Sequence, residues 1–581
     1  QLRNLKWMNL SYSRDLKELP NLSTATNLEE LKLRNCSSLV ELPSSIEKLT
    51  SLQILDLANC SSLVKLPAIE NATNLRELKL QDCSSLIELP PSIGTATNLK
   101  KLDMNGCSSL VKLPSSIGDM TNLEVFDLSN CSNLVELPSS IGKLQKLYML
   151  RMCGCSKLEA LPININLKAL HQLMLQNCSS LIELPLSIGT AKNLWILDIS
   201  GCSSLVKLPS SIGDMTNLKV FDLSNCSNLV ELPSSIGNLQ NLCKLIMRGC
   251  SKLEALPINI NLKSLDTLNL TDCSQLKSFP EISTHIKYLW LTGTAIKEVP
   301  LSIMSWSPLA EFQISYFESL KEFLHAFDII TKLHLSNDIQ EISPWVKRMS
   351  RLRVLTLNNC NNLVSLPQLS DSLDYIYADN CKSLERLDCC FNNPEISLNF
   401  PKCFKLNQEA RDLIMHTSTR KCAMLPSIQV PACFNHRATY GDSLKIKLKE
   451  SSLPTTLRFK ACIMLVKVNE EMRDDEMWPC VVIAIRVKQN DLKVLCTPSS
   501  CYIYPVLTEH IYTFELEVEE VTSTELVFEF TLDKESNWKI GECGILQRET
   551  RSLRRSSSPE LSPESSRAFS LYLGEQRYIL D

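Results

Sequence analysis

Leucine recurs along the first half of the chain in a fixed pattern of apolar and polar positions. Residues 99–122 read LKKLDMNGCSSLVKLPSSIGDMTN, in which a leucine, a second leucine and a further apolar residue precede a cysteine. Near-copies of this phrase begin at Leu28, Leu52, Leu75, Leu123, Leu147, Leu170, Leu194, Leu218, Leu242 and Leu265. The pattern predicts one short strand per copy, with its leucines facing inward and the residues between them facing outward.

The cysteine of each copy marks the period. The intervals between successive cysteines are 23 or 24 residues, and the positions are Cys36, Cys60, Cys83, Cys107, Cys131, Cys155, Cys178, Cys202, Cys226, Cys250 and Cys273. A period in this range with L-x-x-L-x-L-x-x-C is typical of leucine-rich repeats. We therefore predict an α/β leucine-rich-repeat solenoid, a horseshoe with a concave parallel β-sheet and an irregular or short helical return after each Leu-Pro step.

The array continues in weaker form to about residue 390 and contains a duplication. Residues 107–165 recur almost word for word at 202–260, which indicates duplication of a four-repeat block. The late repeats are 286–300, 309–323 and 331–342, which lack the cysteine, and 352–367 and 373–387, which restore it. In all we count about 17 repeats and assign 1–390 to the solenoid.

The pattern changes after Cys390. A helix is predicted from about Asn407, with that residue as a possible N-cap. Alternating or continuous apolar runs then predict strands at 443–449, 457–468, 478–488, 510–518 and 525–532. Short strands separated by turns favour a mainly-β sandwich or jelly-roll. We assign 391–545 to this domain and the charged, Ser- and Pro-rich residues 546–581 to a disordered tail.

The net charge and the cysteine content limit the classes of function that the chain can have. The 581 residues carry a net charge of −4, which argues against a nucleic-acid binder that works through a field of positive charge. Of the 25 cysteines, 13 (the eleven above with Cys360 and Cys381) occupy the same repeat position. Identical positions in stacked repeats form a column, so we expect a row of reduced, buried thiols, which in turn suggests a reducing compartment.

The sequence was also searched for membrane-spanning and targeting segments. No apolar run reaches the roughly 18 to 20 residues that a membrane helix needs, and no signal peptide is recognisable. The first residues, QLRNLKWMNL, already form a repeat strand without a starting Met. We therefore expect a piece of a larger protein, taken from within its repeat array.

Signals of catalysis and metal binding are absent from the sequence. It contains no G-x-x-x-x-G-K-[ST] loop, no H-E-x-x-H and no G-x-S-x-G. The seven histidines are scattered, and the closely spaced cysteines lack zinc-finger spacing. We predict no catalytic residue, no cofactor-binding residue and no metal ligand in this chain.

Residues that flank the inward leucines of each strand face the concave surface, and their type changes along the array. These positions carry chemically mixed residues in the early repeats, a few recurrent residue types in the middle repeats and aromatic residues in the late repeats. Exposed Tyr and Trp are common anchors of protein interfaces. The predicted binding residues of the repeats are Tyr288, Trp290, Tyr316, His334, Tyr375 and Tyr377. For Trp306 and Phe317 we favour a packing role in degenerate repeats.

Three motifs together resemble one family. They are the repeat phrase CSSLVKLPSSIG, the segment LNFPKCFKLNQEARDLI and the segment VPACFNHRATYGDSLKIKL. Over roughly residues 1–545 the chain is similar to plant intracellular immune receptors with an N-terminal TIR domain, a nucleotide-binding switch and leucine-rich repeats. Within that family it looks like the crucifer group that recognises downy mildew. Its F-N-H-R element, residues 434–437, matches, whereas Cys433 replaces a usual aromatic residue.

The resemblance implies a function for the chain. Residues 391–545 would be a C-terminal jelly-roll/Ig-like domain, which with the late repeats binds a pathogen effector protein, and His436 and Arg437 would join the binding residues. The parent receptor would use ATP/ADP and NAD+, contact its own TIR and nucleotide-binding domains, form a homotetramer when activated and break down NAD+. The chain itself would bind no cofactor and no nucleic acid. Its location would be intracellular, with the cytoplasm and the nucleus as candidate compartments.

Two other classes of function stay open at this point. An extracellular leucine-rich-repeat receptor ectodomain that binds a peptide or protein is one, because several N-C-S triplets match the glycosylation acceptor. The unpaired cysteines and the tight corner at which the triplets lie disfavour it. An enzyme in the β domain is the other, and the lack of catalytic motifs disfavours that alternative.

Overall fold

A computed structural model describes residues 2–163, 165–306, 309–335, 339–418, 422–438, 441–448, 456–467, 481–503, 510–532 and 538–548. It divides into two compact units, Gln1–Ile329 and Ile330–Asp581. The strands of the first unit are β1 (Trp7–Asn9), β2 (Glu30–Lys32), β3 (Ile54–Asp56), β4 (Glu77–Lys79), β5 (Lys101–Asp103), β6 (Val125–Asp127), β7 (Met149–Arg151), β8 (Gln172–Met174), β9 (Ile196–Asp198), β10 (Val220–Asp222), β11 (Lys244–Ile246), β12 (Thr267–Asn269), β13 (Tyr288–Leu291) and β14 (Glu311–Ser315).

The first unit is a stack of parallel strands in register. Each strand from β1 to β14 pairs with the next one along the chain, as in the β5–β6 pair, where Leu102 lies opposite Phe126. The central residue of each three-residue strand from β2 to β12 is buried. Because one repeat cannot bury its own leucines, each repeat completes the core of its neighbour. The predicted solenoid is confirmed.

The cysteine column is a row of buried free thiols, as predicted. The Cys107 Sγ donates to the Leu80 carbonyl of the preceding repeat at 3.1 Å, and Cys131 does the same to Met104 at 3.3 Å. The residue before each of these two cysteines has a positive φ, 78° at Gly106 and 59° at Asn130. Glycine and asparagine tolerate that conformation, which turns the chain out of the strand.

The return path of most repeats is a short 3₁₀ helix that starts after a proline. In the repeat of β5, Pro114 has an extended backbone and Ile117 of the following helix points into the core. A Cβ on Gly118 would collide with the carbonyl of Ser140 in the next repeat, so only glycine permits this approach. The 3₁₀ helices of the first unit are Ser44–Lys48, Pro91–Thr95, Ser115–Asp119, Ser139–Lys143, Leu186–Thr190, Ser210–Asp214, Ser234–Asn238, Leu301–Ser305, Glu318–Glu322 and Leu324–Asp328.

The second unit contains the last repeats and an antiparallel β domain. Its helices are the 3₁₀ helix Pro344–Arg348 and α1 (Gln408–His416). Its strands are β15 (Lys332–Leu335), β16 (Val354–Asn358), β17 (Ser365–Leu366), β18 (Tyr375–Asp379), β19 (Arg386–Leu387), β20 (Ser397–Asn399), β21 (Ala423–Pro426), β22 (His436–Ala438), β23 (Ser443–Lys447), β24 (Thr456–Lys467), β25 (Val481–Gln489), β26 (Leu492–Val494), β27 (Cys496–Thr497), β28 (Ser500–Ile503), β29 (His510–Glu519), β30 (Glu525–Leu532) and β31 (Trp538–Arg548).

One strand joins the repeats to the β domain. The parallel series β15–β16–β18–β20 continues to β21, which also pairs antiparallel with β29. Strand β29 belongs to a sheet with β24, β31 and β22, and a second sheet contains β23, β30, β25, β26 and β28. The apolar faces of both sheets form one core, the predicted sandwich. The parallel series thus extends past the predicted boundary at 390/391.

The predicted tail also begins later than expected. Strand β31 runs to Arg548, so residues 546–548 are paired with β24 rather than disordered. The rest of the predicted tail, 549–581, lies outside the described residues.

Helix α1 begins at the predicted cap and is held at its other end by the β domain. The Asn407 side chain accepts a hydrogen bond from the Ala410 N–H at 2.8 Å. At the helix end the buried Lys460 Nζ donates to the carbonyls of Ile414 (3.3 Å) and Thr417 (2.8 Å). A cation is favourable there because the carbonyls at a helix C-terminus lack partners within the helix.

Replacing Asn407 with Ala should lower the free energy of unfolding of the second unit by about 1 kcal/mol. The Ala410 N–H loses its acceptor, while the rest of α1 is unchanged. Urea unfolding followed by circular dichroism measures the loss. Asn407→Ser is the matched control, since its hydroxyl can still cap, and equal losses in both variants would contradict the role of the cap.

Candidate functional site

The two aromatic residues predicted on β13 lie on the outward face of their strand. Tyr288 is 40% exposed, and Trp290 is half-buried. The Trp290 Nε1–H donates to Glu311 Oε1 at 2.6 Å, and the Gln313 side chain donates to the same carboxylate oxygen. The indole is therefore held in place by its neighbour on β14, with part of its ring open to a partner.

Glu311→Ala should release the Trp290 ring without changing the fold. The indole N–H then exchanges its charge-assisted bond for water, which moves its ¹⁵N–¹H resonance and costs about 1–3 kcal/mol of stability. A spectrum of ¹⁵N-Trp-labelled protein, assigned with Trp290→Phe, measures the shift. Glu311→Gln keeps an acceptor oxygen and should leave the resonance close to its position in the unchanged protein. A resonance that does not move in Glu311→Ala would refute the contact.

The structure corrects the prediction that Tyr316 is an exposed binding residue, because its side chain is only 6% exposed. It has the same phase as Phe312 and Ile314 of β14, whose side chains face the core. Its hydroxyl donates to Glu318 Oε2 at 2.9 Å. Tyr316 is therefore a packing residue in this structure, and we leave it out of the proposed surface.

Trp306 and Phe317 have the packing role that the sequence favoured. Both are buried, at 9% and 6% exposure. The Trp306 ring lies 5.9 Å from that of Phe279, so aromatic rings fill the space where the repeats lose their regular leucines.

In the second unit, polar and aromatic side chains form a row across the parallel strands. His334, Thr356, Tyr377 and Asn399 are in register on β15, β16, β18 and β20. The His334 Nδ1 and the Thr356 hydroxyl are 2.9 Å apart. Burial raises the pKa of Tyr377, so its phenol stays neutral at physiological pH.

Tyr375 and Tyr377 present a pair of rings. Their centroids are 6.3 Å apart and their planes differ by 8°, and both side chains are partly exposed. Parallel, offset rings on a rigid strand offer a large contact area with little loss of side-chain entropy on binding. This pair is the part of the predicted site that the structure brings together most clearly.

Two side-chain oxygens next to this pair, one amide and one carboxylate, were not singled out by sequence reasoning. Asn358 and Asp379 are opposite each other on β16 and β18. Within the described residues, Oδ1 of each is buried and accepts no hydrogen bond. Burial also raises the pKa of Asp379. Unsatisfied buried acceptors are costly, so a donor from a bound partner would be favourable here.

The F-N-H-R element divides into a packing part and a surface part. Phe434 is fully buried, and a Cβ on Gly544 of β31 would collide with it. His436 is half-buried and Arg437 is exposed, on β22. The Arg437 Nη1 donates to the Val430 carbonyl at 3.3 Å, which leaves further guanidinium donors for a partner.

An aromatic row in the middle repeats escaped the sequence analysis. Tyr148 and Trp195 are each 39% exposed, and His171 lies between them in the stack. The Tyr148 and His171 rings are 6.4 Å apart, edge to face. Each of these residues immediately precedes a three-residue strand, which is outside the positions compared in the sequence. A comparison of that column would have found them.

The comparisons with known proteins agree with both units. Residues 58–200 match the model of a leucine-rich repeat region, residues 217–239 a leucine-rich repeat, and residues 425–517 the C-JID domain. The chain is 71% identical over 572 residues to the probable disease resistance protein RPP1 of Arabidopsis thaliana. The match covers 98% of this chain and 40% of that protein. The chain belongs to the leucine-rich-repeat disease resistance proteins of plants.

Other members of this family match over shorter stretches. The disease resistance protein TAO1 of Arabidopsis thaliana is 49% identical over 174 residues, 30% of this chain and 14% of that protein. The chain thus spans less than half the length of these curated relatives. Among solved structures, the leucine-rich repeat domain of the type III effector XopL is 30% identical over 36% of this chain and 72% of that chain, with a TM-score of 0.32.

The structure also describes the corners that carry the N-C-S triplets. The side chains of Asn130 and Asn177 lie against Gly154 and Gly201 of the following repeats, so close that a Cβ on either glycine would strike the asparagine Oδ1. A glycan would have little room at such a corner. Within the described residues, no helix is long and apolar enough to cross a membrane. Among the same residues, no three His, Cys, Asp or Glu side chains are grouped as metal ligands.

Proposed function

We propose that this chain is the effector-recognition part of a plant immune receptor. It binds a pathogen protein, of which an oomycete effector is the candidate class, through the late repeats and the C-terminal β domain. Membership of the disease resistance family supports this function. The observation that carries the choice of surface is the row on β15–β20, where paired tyrosines and buried acceptors lie on strands bonded to the β domain through β21.

The physical case rests on rigidity and mixed chemistry. Tyr375 and Tyr377 supply apolar contact area, and Asn358 and Asp379 supply side-chain oxygens that accept no hydrogen bond within the described residues. The exposed Arg437 adds a cation from the β domain. Tyr288 and Trp290 supply a second set of anchors in the first unit.

The direct test is binding of the whole chain to a panel of purified candidate oomycete effectors, measured by calorimetry. At least one effector should bind, and the binding should weaken when residues of the proposed surface are changed. If effectors that trigger immunity in plants carrying the full receptor never bind the chain, the proposal fails.

The remainder of the receptor enters the same proposal. Effector binding would release the chain from contacts with its TIR and nucleotide-binding domains, allow ADP to exchange for ATP and permit assembly of a homotetramer that breaks down NAD+ inside the cell. The chain contributes recognition and no catalytic group. NAD+ consumption by the full-length receptor, with and without effector, tests this step separately from binding.

A further inference from the structure

Exposed aliphatic side chains form a contiguous stripe along one side of the early repeats. Each lies between the cysteine and the Leu-Pro step of its repeat, and each is 37% to 49% exposed. Exposed apolar residues that are scattered singly need no partner, whereas a contiguous series indicates an interaction surface. We call this series the aliphatic stripe, and it consists of Val40, Val64, Ile87, Val111 and Val135.

Backbone hydrogen bonds fix the residues of the aliphatic stripe side by side. The Ile87 N–H donates to the Val64 carbonyl at 3.2 Å, and the Val111 N–H donates to the Ile87 carbonyl at 3.3 Å. Equivalent bonds join Val64 to Val40 and Val135 to Val111. Neighbouring residues of the stripe are therefore about 5 Å apart, the spacing of paired strands. A partner would bind a surface whose backbone is already ordered, which reduces the entropy lost on binding.

A second stripe, of charged residues, lies directly beside the first. Each charged residue follows an aliphatic one in the sequence, and all are exposed. Lys65 forms parallel β-bridges with Glu41 and Glu88, so these residues are aligned from one repeat to the next. Within the described part of the chain, no ion pair includes a member of this stripe. We call it the charged stripe, and its members alternate in sign in the order Glu41, Lys65, Glu88, Lys112 and Glu136.

The alternating signs make the charged stripe complementary to its own reverse. In a dimer with a two-fold axis, both copies use the same surface, and the repeats of one copy meet those of the other in reverse order. An axis that crosses the stripes between the repeats of Glu88 and Lys112 brings these two residues opposite each other. The same axis brings Lys65 opposite Glu136. Because each contact occurs twice, four pairs of opposite charge form.

The aliphatic stripe matches itself about the same axis. Ile87 of one copy meets Val111 of the other, and Val64 meets Val135. These side chains are exposed in the single chain, and their mutual contact would remove apolar surface from water.

The next pair outward distinguishes this axis from its neighbour. Here Glu41 meets Ala160, which carries no charge. An axis one repeat earlier would bring Glu136 opposite Glu18, an exposed carboxylate at the same position of the first repeat. Like charges that face each other across an interface are unfavourable, so we choose the axis between Glu88 and Lys112.

We propose that the two stripes are the interface of a homodimer in which two copies of this chain dock with their repeat stacks running in opposite directions. The four central charges, two positive and two negative, sum to zero. The surface therefore has no net charge that would attract a partner of one sign, whereas a second copy matches both stripes at once. The inference does not depend on what the chain recognises.

Sedimentation equilibrium of the whole chain, at concentrations between about 1 and 200 μM, tests for the dimer. We expect the average mass to rise with concentration from that of one chain toward twice that value. A mass that stays at one chain over the whole range would indicate that a second copy does not cover the stripes, and this result would overturn the proposal.

Charge reversals test which residues meet in the dimer. Lys112→Glu alone and Glu88→Lys alone should each weaken dimerisation about tenfold or more, because each brings like charges together twice. An equimolar mixture of the two variants should regain the affinity of the unchanged chain, since opposite signs then meet at both contacts. A mixture that associates no better than the separate variants would contradict the arrangement.

Lys207→Glu is the matched control. Lys207 is the exposed counterpart of Lys112 in the duplicated block, and Glu159 and Ala160 separate it from the proposed contact. The substitution makes the same change in net charge, so this variant should dimerise like the unchanged chain. Circular dichroism checks that the variants stay folded. Equal weakening by Lys207→Glu would indicate a general effect of charge and would overturn the proposal.

Discussion

Raising the pH from 8 to 10 should unfold the repeat array of the first unit. Burial raises the pKa of the Cys60 and Cys226 thiols from 9.0 to about 12 and also raises the pKa of Cys83, Cys107 and Cys131. The folded state therefore holds these protons more tightly than the unfolded state. Their contribution to stability is complete below pH 9 and is lost as the pH rises toward the folded-state values.

The size of the effect follows from the number of thiols. Each thiol that stays protonated in the fold costs about 1.4 kcal/mol of stability per pH unit above 9. Over one pH unit, four such losses sum to about 5.6 kcal/mol, which reaches the lower end of the roughly 5–15 kcal/mol by which proteins are stable. Because neighbouring repeats share one core, loss of a few thiols should unfold the stack cooperatively.

Circular dichroism and urea unfolding between pH 7 and 11, in the presence of a reductant, measure this dependence. The double variant Cys107→Ala, Cys131→Ala is the matched control, because it removes two titrating groups from the middle of the column. Its stability at pH 7 should be lower, owing to the lost packing, while its loss per pH unit should be smaller. An unfolding midpoint that stays constant from pH 8 to 10 would contradict the prediction.

Tyr377→Ala should weaken binding of a cognate effector by about 10- to 100-fold, the range of a central aromatic anchor. The substitution removes one ring of the stacked pair and leaves the buried acceptors of Asn358 and Asp379 in place. Calorimetry with the effector that binds the unchanged chain measures the loss.

Two control variants separate recognition from folding. Tyr377→Phe keeps the ring and should retain most of the affinity, since the phenol is shielded and neutral. Trp7→Ala removes a 63%-exposed aromatic residue from the first strand of the array and should have no effect. If Tyr377→Ala binds as tightly as the unchanged, folded chain, the proposed surface is wrong.

Local repetition made much of the fold predictable. A leucine or cysteine in one repeat packs against its counterpart about 24 residues away, so the period by itself indicated which side chains face the core. The N-cap at Asn407 was equally local, since its partner Ala410 is three residues on. Five strands of the β domain, β23, β24, β25, β29 and β30, were predicted from apolar runs, whereas β21, β22, β26, β27, β28 and β31 were missed.

The binding residues were less predictable because orientation depends on phase and on neighbours. Tyr316 follows β14 in the same phase as Phe312 and Ile314, whose side chains face the core, so it is buried as well. The exposure of Tyr148, His171 and Trp195 depends on how three repeats stack. Neither feature can be deduced from residue type at the positions first compared.

The sequence by itself determined the repeat architecture, the buried thiol column and the change to a β domain, because each depends on contacts between residues at a short, regular spacing. Only the tertiary structure decided where the parallel series ends. Strand β21 joins it to β29, a pairing of residues almost 90 positions apart. Such contacts depend on how distant segments pack in three dimensions, which no periodic pattern specifies.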